Sequence, residues 1–268
     1  MRRILFTLQY LGTRYAGWQR QTNAVAVQQV FEDALRRMFR IDVTVHSAGR
    51  TDSGVHARAQ RAHADLPFVI EERGLIRGLN DLLPRDVRIT EAREVDPAFH
   101  CRFEARGKHY SYWICNSSVE DPFLSATHAW VPARLEIARM RAAAAPLIGR
   151  HDFRSFTVLA PEVSSTERTL HALAVQRQGE VVRIDVEADG FLRFMVRRIA
   201  GLLIEVGRGK LEPESGRRAL EPEFGEARWT APPHGLFLEE VFYESIPFLS
   251  GGESAAGADG WPENAVLR

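Results

Sequence analysis

The chain has 268 residues, 45% of them apolar and 26% charged, with 35 basic residues balanced by 35 acidic ones. That length supports one large domain or two of ordinary size with ample core, and the charge balance argues against a protein that coats nucleic acid indiscriminately. The longest apolar run, 199–204, is far too short to span a membrane, and the two cysteines, Cys101 and Cys115, fit neither a disulfide framework nor a metal motif and read as reduced thiols.

In chain order, residues 3–10 read as a first strand. Thr7 and Gln9 interrupt the apolar run at strand period and no small-residue cleavage site follows, so the start is not a signal peptide. A Gly-punctuated loop, 11–23, carries Tyr15 and Trp18, both expected to be exposed. Val27, Val30, Phe31, Ala34, Leu35 and Met38 recur at helical spacing and predict a helix over 27–40. Residues 43–47 (VTVHS) and 55–66 alternate as strands on either side of a tight loop. A helix over 70–83 ends before Pro84, and 87–95 is a strand. The order β-α-β-β-α-β is that of a ferredoxin-like unit, with an antiparallel sheet and helices on one face.

A similar order restarts near residue 105. Residues 109–115 are a strand, 134–148 a helix, 170–178 and 180–188 a hairpin, 191–206 a helix and 236–243 a closing strand. The fold class expected is therefore α+β, with two ferredoxin-like, RNA-recognition-like units: 1–105 and 106–248. A Gly/Ser/Ala-rich tail, 249–268, is expected to be mobile. Nearly every cation is an arginine, the lysines being Lys108 and Lys210. Clusters at Arg50, Arg58 and Arg61, at Arg102, Arg106, Lys108 and His109, and at Arg193, Arg197, Arg198, Arg208 and Lys210 point to one basic cleft suited to phosphate. Genome composition alone can also raise arginine content. The nine histidines form no metal-ligand spacing, and His46, His56 and His63 need not converge. No metal is expected.

The most informative segment is 49–56, GRTDSGVH. It sets one carboxylate, Asp52, where a strand gives way to a loop, beside Arg50 and between glycines. Asp, Ser and Gly are also ordinary turn residues, so turn chemistry alone leaves a structural role open. The octapeptide as a whole resembles the hallmark of the tRNA pseudouridine synthase A family, with Ser53 at its variable position. Further family blocks match 17–21 (GWQRQ), 99–103, Met195-Val196-Arg197 and 235–238 (GLFL), so the resemblance spreads over residues 1–246.

The resemblance implies that Asp52 is the nucleophile, that Arg197 pairs with it, that Tyr110 stacks on the target uracil, and that Arg50 holds the flipped nucleotide's place or its phosphate. Leu236 would wall the site, though it could equally be plain strand core, and Phe99, His100, Cys101, Arg102 and Phe103 would contact tRNA. The residues themselves allow other readings. A guanidinium on an apolar helix needs a carboxylate, which Glu205 could supply to Arg198 and a distant acid to Arg197. A tyrosine at a strand start is commonly core, and Tyr112 shares the face of Tyr110.

The implied reaction isomerises uridine to pseudouridine at positions 38, 39 and 40 of the tRNA anticodon stem-loop, at a central cleft where the two units meet. It needs no cofactor. The implied setting is cytoplasmic and the implied assembly a homodimer with one tRNA touching both subunits. The carboxylate can act at C1′, at C6 or on a ribose proton. An aspartic-protease reading fails for want of a second Asp-Ser/Thr-Gly, since 189–191 is DGF. The alternatives are a non-catalytic RNA-binding module, which would use the arginines and Tyr110 without the acid, and a synthase for a different RNA site.

Overall fold

A computed structural model describes residues 1–67, 71–158 and 164–246. Ile70 of the expected second helix and the tail at 249–268 lie outside the described residues. The chain forms two compact units, one of Met1–Arg106 with the closing strand from Leu238 onward, the other Gly107–Phe237. The closing strand was expected in the second unit; most of it clusters with the first.

The first unit runs β1 (Arg2–Tyr10), α1 (Val27–Phe39), β2 (His46–Ser47), β3 (His56–Leu66), α2 (Glu72–Leu82) and β4 (Val87–Val95). This is the expected β-α-β-β-α-β order. Strand β1 lies between β4 and β3, antiparallel to both. Leu5, Phe6, Thr7 and Leu8 are all buried where alternation predicts a wetter face; the Thr7 hydroxyl donates to Glu91 at 2.8 Å and accepts from Arg61, side chains of the two neighbouring strands that lie over that face. Helix α1 buries Val27, Phe31, Ala34 and Leu35, with Phe31 edge-on to Phe6 at 5.1 Å. It stops at Arg40, which is left-handed with φ +61°. Helix α2 buries Leu75 and Leu79, and Asn80 pins it to β4 through both the N–H and the carbonyl of Ile89, each at 2.8 Å.

The expected strand over 43–47 shrinks to the two residues of β2. The reason is local: the Glu32 carboxylate accepts the Val45 N–H at 3.1 Å and the Gln28 amide donates to the Val45 carbonyl at 3.0 Å. Side chains of α1 thus take the place of a neighbouring strand. Glu32 also pairs with Arg20 at 2.8 Å, tying the loop after β1 to the same network.

The second unit contains β5 (Ala105–Cys115, from Gly107), β6 (Ala129–Trp130), α3 (Ile137–Ala144), β7 (Gly149–Asp152), β8 (Glu167–Gln178), β9 (Val181–Ala188), α4 (Met195–Gly207) and α5 (Ser215–Arg218). Its sheet order is β5-β9-β8-β7, all antiparallel pairs. The short β6 pairs parallel with β5, so the sheet is mixed where antiparallel pairing alone was expected. The class remains α+β. Helix α3 ends early because Ala145–Leu147 tightens into a 3₁₀ turn containing Pro146. Helix α4 starts at Met195 and not at residue 191, because Phe194 is left-handed with φ +65°. The last strand, β10 (Leu236–Tyr243), returns beside β3 through its first-unit residues. Among the described residues no helix is long and apolar enough to cross a membrane.

Candidate active site

Asp52 lies between β2 and β3 on a loop gripped from both sides. Ahead of it, Gln60 Nε2 donates to the Gly49 carbonyl at 2.9 Å, the hydroxyls of Tyr10 and Thr51 are 2.9 Å apart, and the Trp18 N–H donates to the Thr51 carbonyl at 3.1 Å. Behind it, the Gly54 N–H donates to the Tyr15 carbonyl at 3.2 Å and the Val55 N–H closes a turn onto the Asp52 carbonyl at 3.1 Å. The Gly12 N–H donates to His56 Nδ1 at 2.8 Å, which places the neutral ring's proton on Nε2.

The bracing comes from the loop after β1. Two of its glycines make the approach possible: a Cβ on Gly12 would lie 1.9 Å from the Val55 carbonyl oxygen, and one on Gly17, at φ +86°, 2.5 Å from that of Thr51. Tyr15 and Trp18, expected to be exposed, are only 5% and 1% exposed. They serve as the packing of this brace, Trp18 against Tyr10 and the Tyr15 hydroxyl donating to Asp86 at 2.6 Å. Asp52 itself is half-buried, while Arg50 and Ser53 are exposed. The main chain is fixed and the carboxylate is not sealed in.

In the second unit, Tyr110 is buried on β5 and meets Phe191 edge-to-face at 5.0 Å. Tyr112 on the same face is a structural residue. It is fully buried, its hydroxyl donates to the Pro232 carbonyl at 2.8 Å, and burial raises its pKa. Arg197, in the first turn of α4, is half-buried; its Nε donates to the Ala231 carbonyl at 2.8 Å and its own carbonyl accepts the Ala231 N–H at 2.9 Å. Leu236, 5% exposed, follows Gly235, where a Cβ would lie 2.8 Å from both the Tyr112 ring and the Trp113 carbonyl oxygen. The second unit thus gathers Tyr112, Arg197 and the segment 231–236 into one neighbourhood.

The buried guanidinium of α4 is Arg198, and Glu205 is not its partner. Arg198 pairs with Glu226 and donates to the carbonyls of Ser155 and Thr157, at 3.4 and 2.8 Å. Glu205 pairs with Arg208 and Lys210 instead, one turn on. Several other arginines expected to line a basic surface also carry carboxylate partners, among them Arg61 with Glu91 and Arg106 with Glu244.

The 99–103 segment divides by exposure. Phe99 and Cys101 are buried, His100 is half-buried, and Arg102 and Phe103 are exposed, Phe103 at 75%. Its anchor was not foreseen. His46 and His63 face each other across β2 and β3 with rings stacked at 5.2 Å, and His100 joins them at 5.7 and 4.7 Å. Cys101 Sγ lies 3.1 Å from His63 Nδ1. Burial, with His100 and Arg3 nearby, holds His63 down at about 4, so its ring is uncharged at neutral pH. The register that opposes His46 to His63 was the one signal for this group; His100 comes from a remote segment. Among the described residues no group of three or more His, Cys, Asp or Glu is placed to hold a metal ion.

The profile of a family described as tRNA pseudouridine synthase matches residues 7–104 and 143–244. The chain belongs to the tRNA pseudouridine synthase family. It is accordingly an isomerase that acts on tRNA. It is similar to the tRNA pseudouridine synthase A of Myxococcus xanthus, 44% identical over 250 residues that span 92% of this chain and 94% of the relative. That of Geobacter sulfurreducens is 43% identical over 242 residues, 90% of this chain and 99% of its own. Among solved structures, an H/ACA RNP bound to a substrate RNA containing 2′-deoxyuridine covers 75% of this chain and 44% of that chain, with 13% identity and a TM-score of 0.34. That likeness is too slight to build on.

Proposed function

We propose that the chain converts uridine to pseudouridine at positions 38, 39 and 40 of the tRNA anticodon stem-loop, with Asp52 as its nucleophile. The observation that carries this is the Asp52 loop, in which every backbone bond named above is made by protein and one half-buried carboxylate is presented on a fixed frame. A reactive acid placed by the fold, and not by its substrate, lowers the entropy cost of reaction. The chemistry balances without a cofactor: the N1–C1′ bond breaks, a C5–C1′ bond forms, C5 loses its proton and N1 gains one.

In this reading the two ferredoxin-like units meet at a cleft that receives the flipped uridine. Tyr110 stacks on the uracil, Arg197 supplies the positive charge that keeps Asp52 ionised, and Leu236 walls the site. Arg50 takes the place or the phosphate of the extruded nucleotide. His100, Arg102 and Phe103 present the RNA-facing side of the 99–103 segment, with Phe99 and Cys101 as its anchors. The protein works in the cytoplasm, where its tRNA is, as a homodimer.

The test is Asp52→Asn, assayed with tRNA labelled with tritium at C5 of uridine, because isomerisation releases that hydrogen to water. Retained tRNA binding with release abolished is the expected result; full release by the variant refutes the assignment. Mapping pseudouridine across total tRNA with and without the protein tests the three positions.

A further inference from the structure

We propose that Tyr10 and Thr51 form a positioning pair that fixes the main chain from which the Asp52 carboxylate projects; the proposal rests on the reading of Asp52 as nucleophile. Thr51 immediately precedes Asp52, so the two share a peptide plane. Tyr10 ends β1, opposite Ala57 of β3 on one side and Val87 of β4 on the other, and is therefore anchored in two ladders at once. Both side chains are buried, at 3% and 7% exposure, and their hydroxyls are 2.9 Å apart.

Three consequences follow from that geometry. The bond selects one rotamer for Thr51, and the Trp18 N–H on the Thr51 carbonyl fixes the peptide that leads into Asp52. With side chain and carbonyl both tied to the first unit's sheet and brace, the main chain that carries Asp52 cannot shift without breaking one of them. Second, the Gln60 amide reaches both the Tyr10 hydroxyl and the Gly49 carbonyl, so the same buried group serves the loop two residues further upstream. Third, burial pushes the Tyr10 phenol up to about 12, so it keeps its proton throughout any working pH and the bond does not titrate away.

A hydroxyl pair serving stability alone would alter unfolding and leave the chemical step untouched. A positioning pair alters the chemical step at unchanged RNA affinity. Tyr10→Phe removes one oxygen and keeps the ring beside Trp18; Thr51→Val removes the partner hydroxyl at equal size. Single-turnover tritium release, with tRNA dissociation constants and melting temperatures measured alongside, is expected to slow roughly 10-fold or more in each variant. The tRNA dissociation constant should stay within about twofold. The double variant should be no slower than the slower single, since both remove one interaction. Thr51→Ser should recover most of the rate lost in Thr51→Val.

Wild-type rates in Tyr10→Phe and Thr51→Val, with Asp52→Asn inactive, would overturn the pair and leave the nucleophile standing. Additive losses in the double variant, or a Thr51→Ser as slow as Thr51→Val, would overturn it too. An active Asp52→Asn would instead remove the reading beneath the proposal, and the proposal with it. Should Thr51→Val fail to fold, Tyr10→Phe against Thr51→Ser carries the same comparison.

Discussion

Replacing Gly17 by alanine presses on the backbone of the Asp52 loop while leaving every side chain proposed for the site in place. The added methyl carbon would fall 2.5 Å from the Thr51 carbonyl oxygen and 3.1 Å from the Asp52 carbonyl carbon, against the 3.4 Å at which ordinary contact begins. The Thr51 peptide must therefore retreat by about 0.9 Å, or the brace must, and the brace is held by the Val27 N–H on the Gly17 carbonyl at 3.1 Å. The backbone angle of +86° adds about 1–2 kcal/mol of strain for a residue with a side chain. Loss of the bond from the Trp18 N–H to the Thr51 carbonyl adds about 1 kcal/mol. The expected destabilisation is about 2–3 kcal/mol, measurable by urea unfolding. Displacing a reacting group by nearly an ångström costs on the order of 100-fold in rate, so single-turnover tritium release should fall by about that factor at a temperature where the variant is folded. Binding of tRNA should persist. A Gly17→Ala protein with wild-type stability and rate would refute the idea that this brace sets the position of Asp52.

Two further outcomes concern the charged and titratable interior. Arg198→Met keeps the length of the side chain but leaves the carbonyls of Ser155 and Thr157 without their donor, while Glu226, 59% exposed, is resolvated; urea unfolding should show a loss of about 1–3 kcal/mol, less than for a fully buried pair. His63 is depressed to about 4 from an unfolded value near 6.5, so the unfolded chain takes up the proton first as pH falls. Stability should accordingly be unaffected by this group above pH 6.5 and decline between 6.5 and about 4, by at most about 1.4 kcal/mol per pH unit; His63→Asn should flatten that decline, and an unchanged slope would contradict the assignment.

Much of the frame is legible in the sequence because its signals are local. The stripe from Val27 to Leu35 and the strand at Val87–Val95 follow from side-chain period alone. Val43 and Val45 have equally good strand composition, yet the ladder there is replaced by Glu32 and Gln28, residues of a helix that period analysis assigns only to packing. The burial of Tyr15 and Trp18 was hidden for a related reason. A loop rich in glycine and glutamine reads as wet, whereas its glycines are what let it press against a second loop. The same applies to the histidine group, in which His100 is brought to His46 and His63 by chain connections that leave no periodic trace. Eight residues suffice to single out the acid proposed as reactive, but not the residues that hold its loop, since those touch it through space.

Arg197 and Arg198 put this difference on adjacent positions. Both lie in the first turn of α4, where the helix dipole disfavours a cation by about 0.3–1 kcal/mol each, and no acid of that turn offsets it. For Arg198 the structure supplies the compensation in full view: Glu226 and two carbonyls that no neutral side chain of that length would satisfy. Its charge is accounted for by the fold of its own unit. Arg197 is anchored at Nε by the Ala231 carbonyl and flanked by the Phe194 ring, contacts that orient its guanidinium. A guanidinium oriented in this way at a helix end that disfavours it carries a cost of its own. That cost is consistent with the role proposed for Arg197, holding the Asp52 carboxylate ionised.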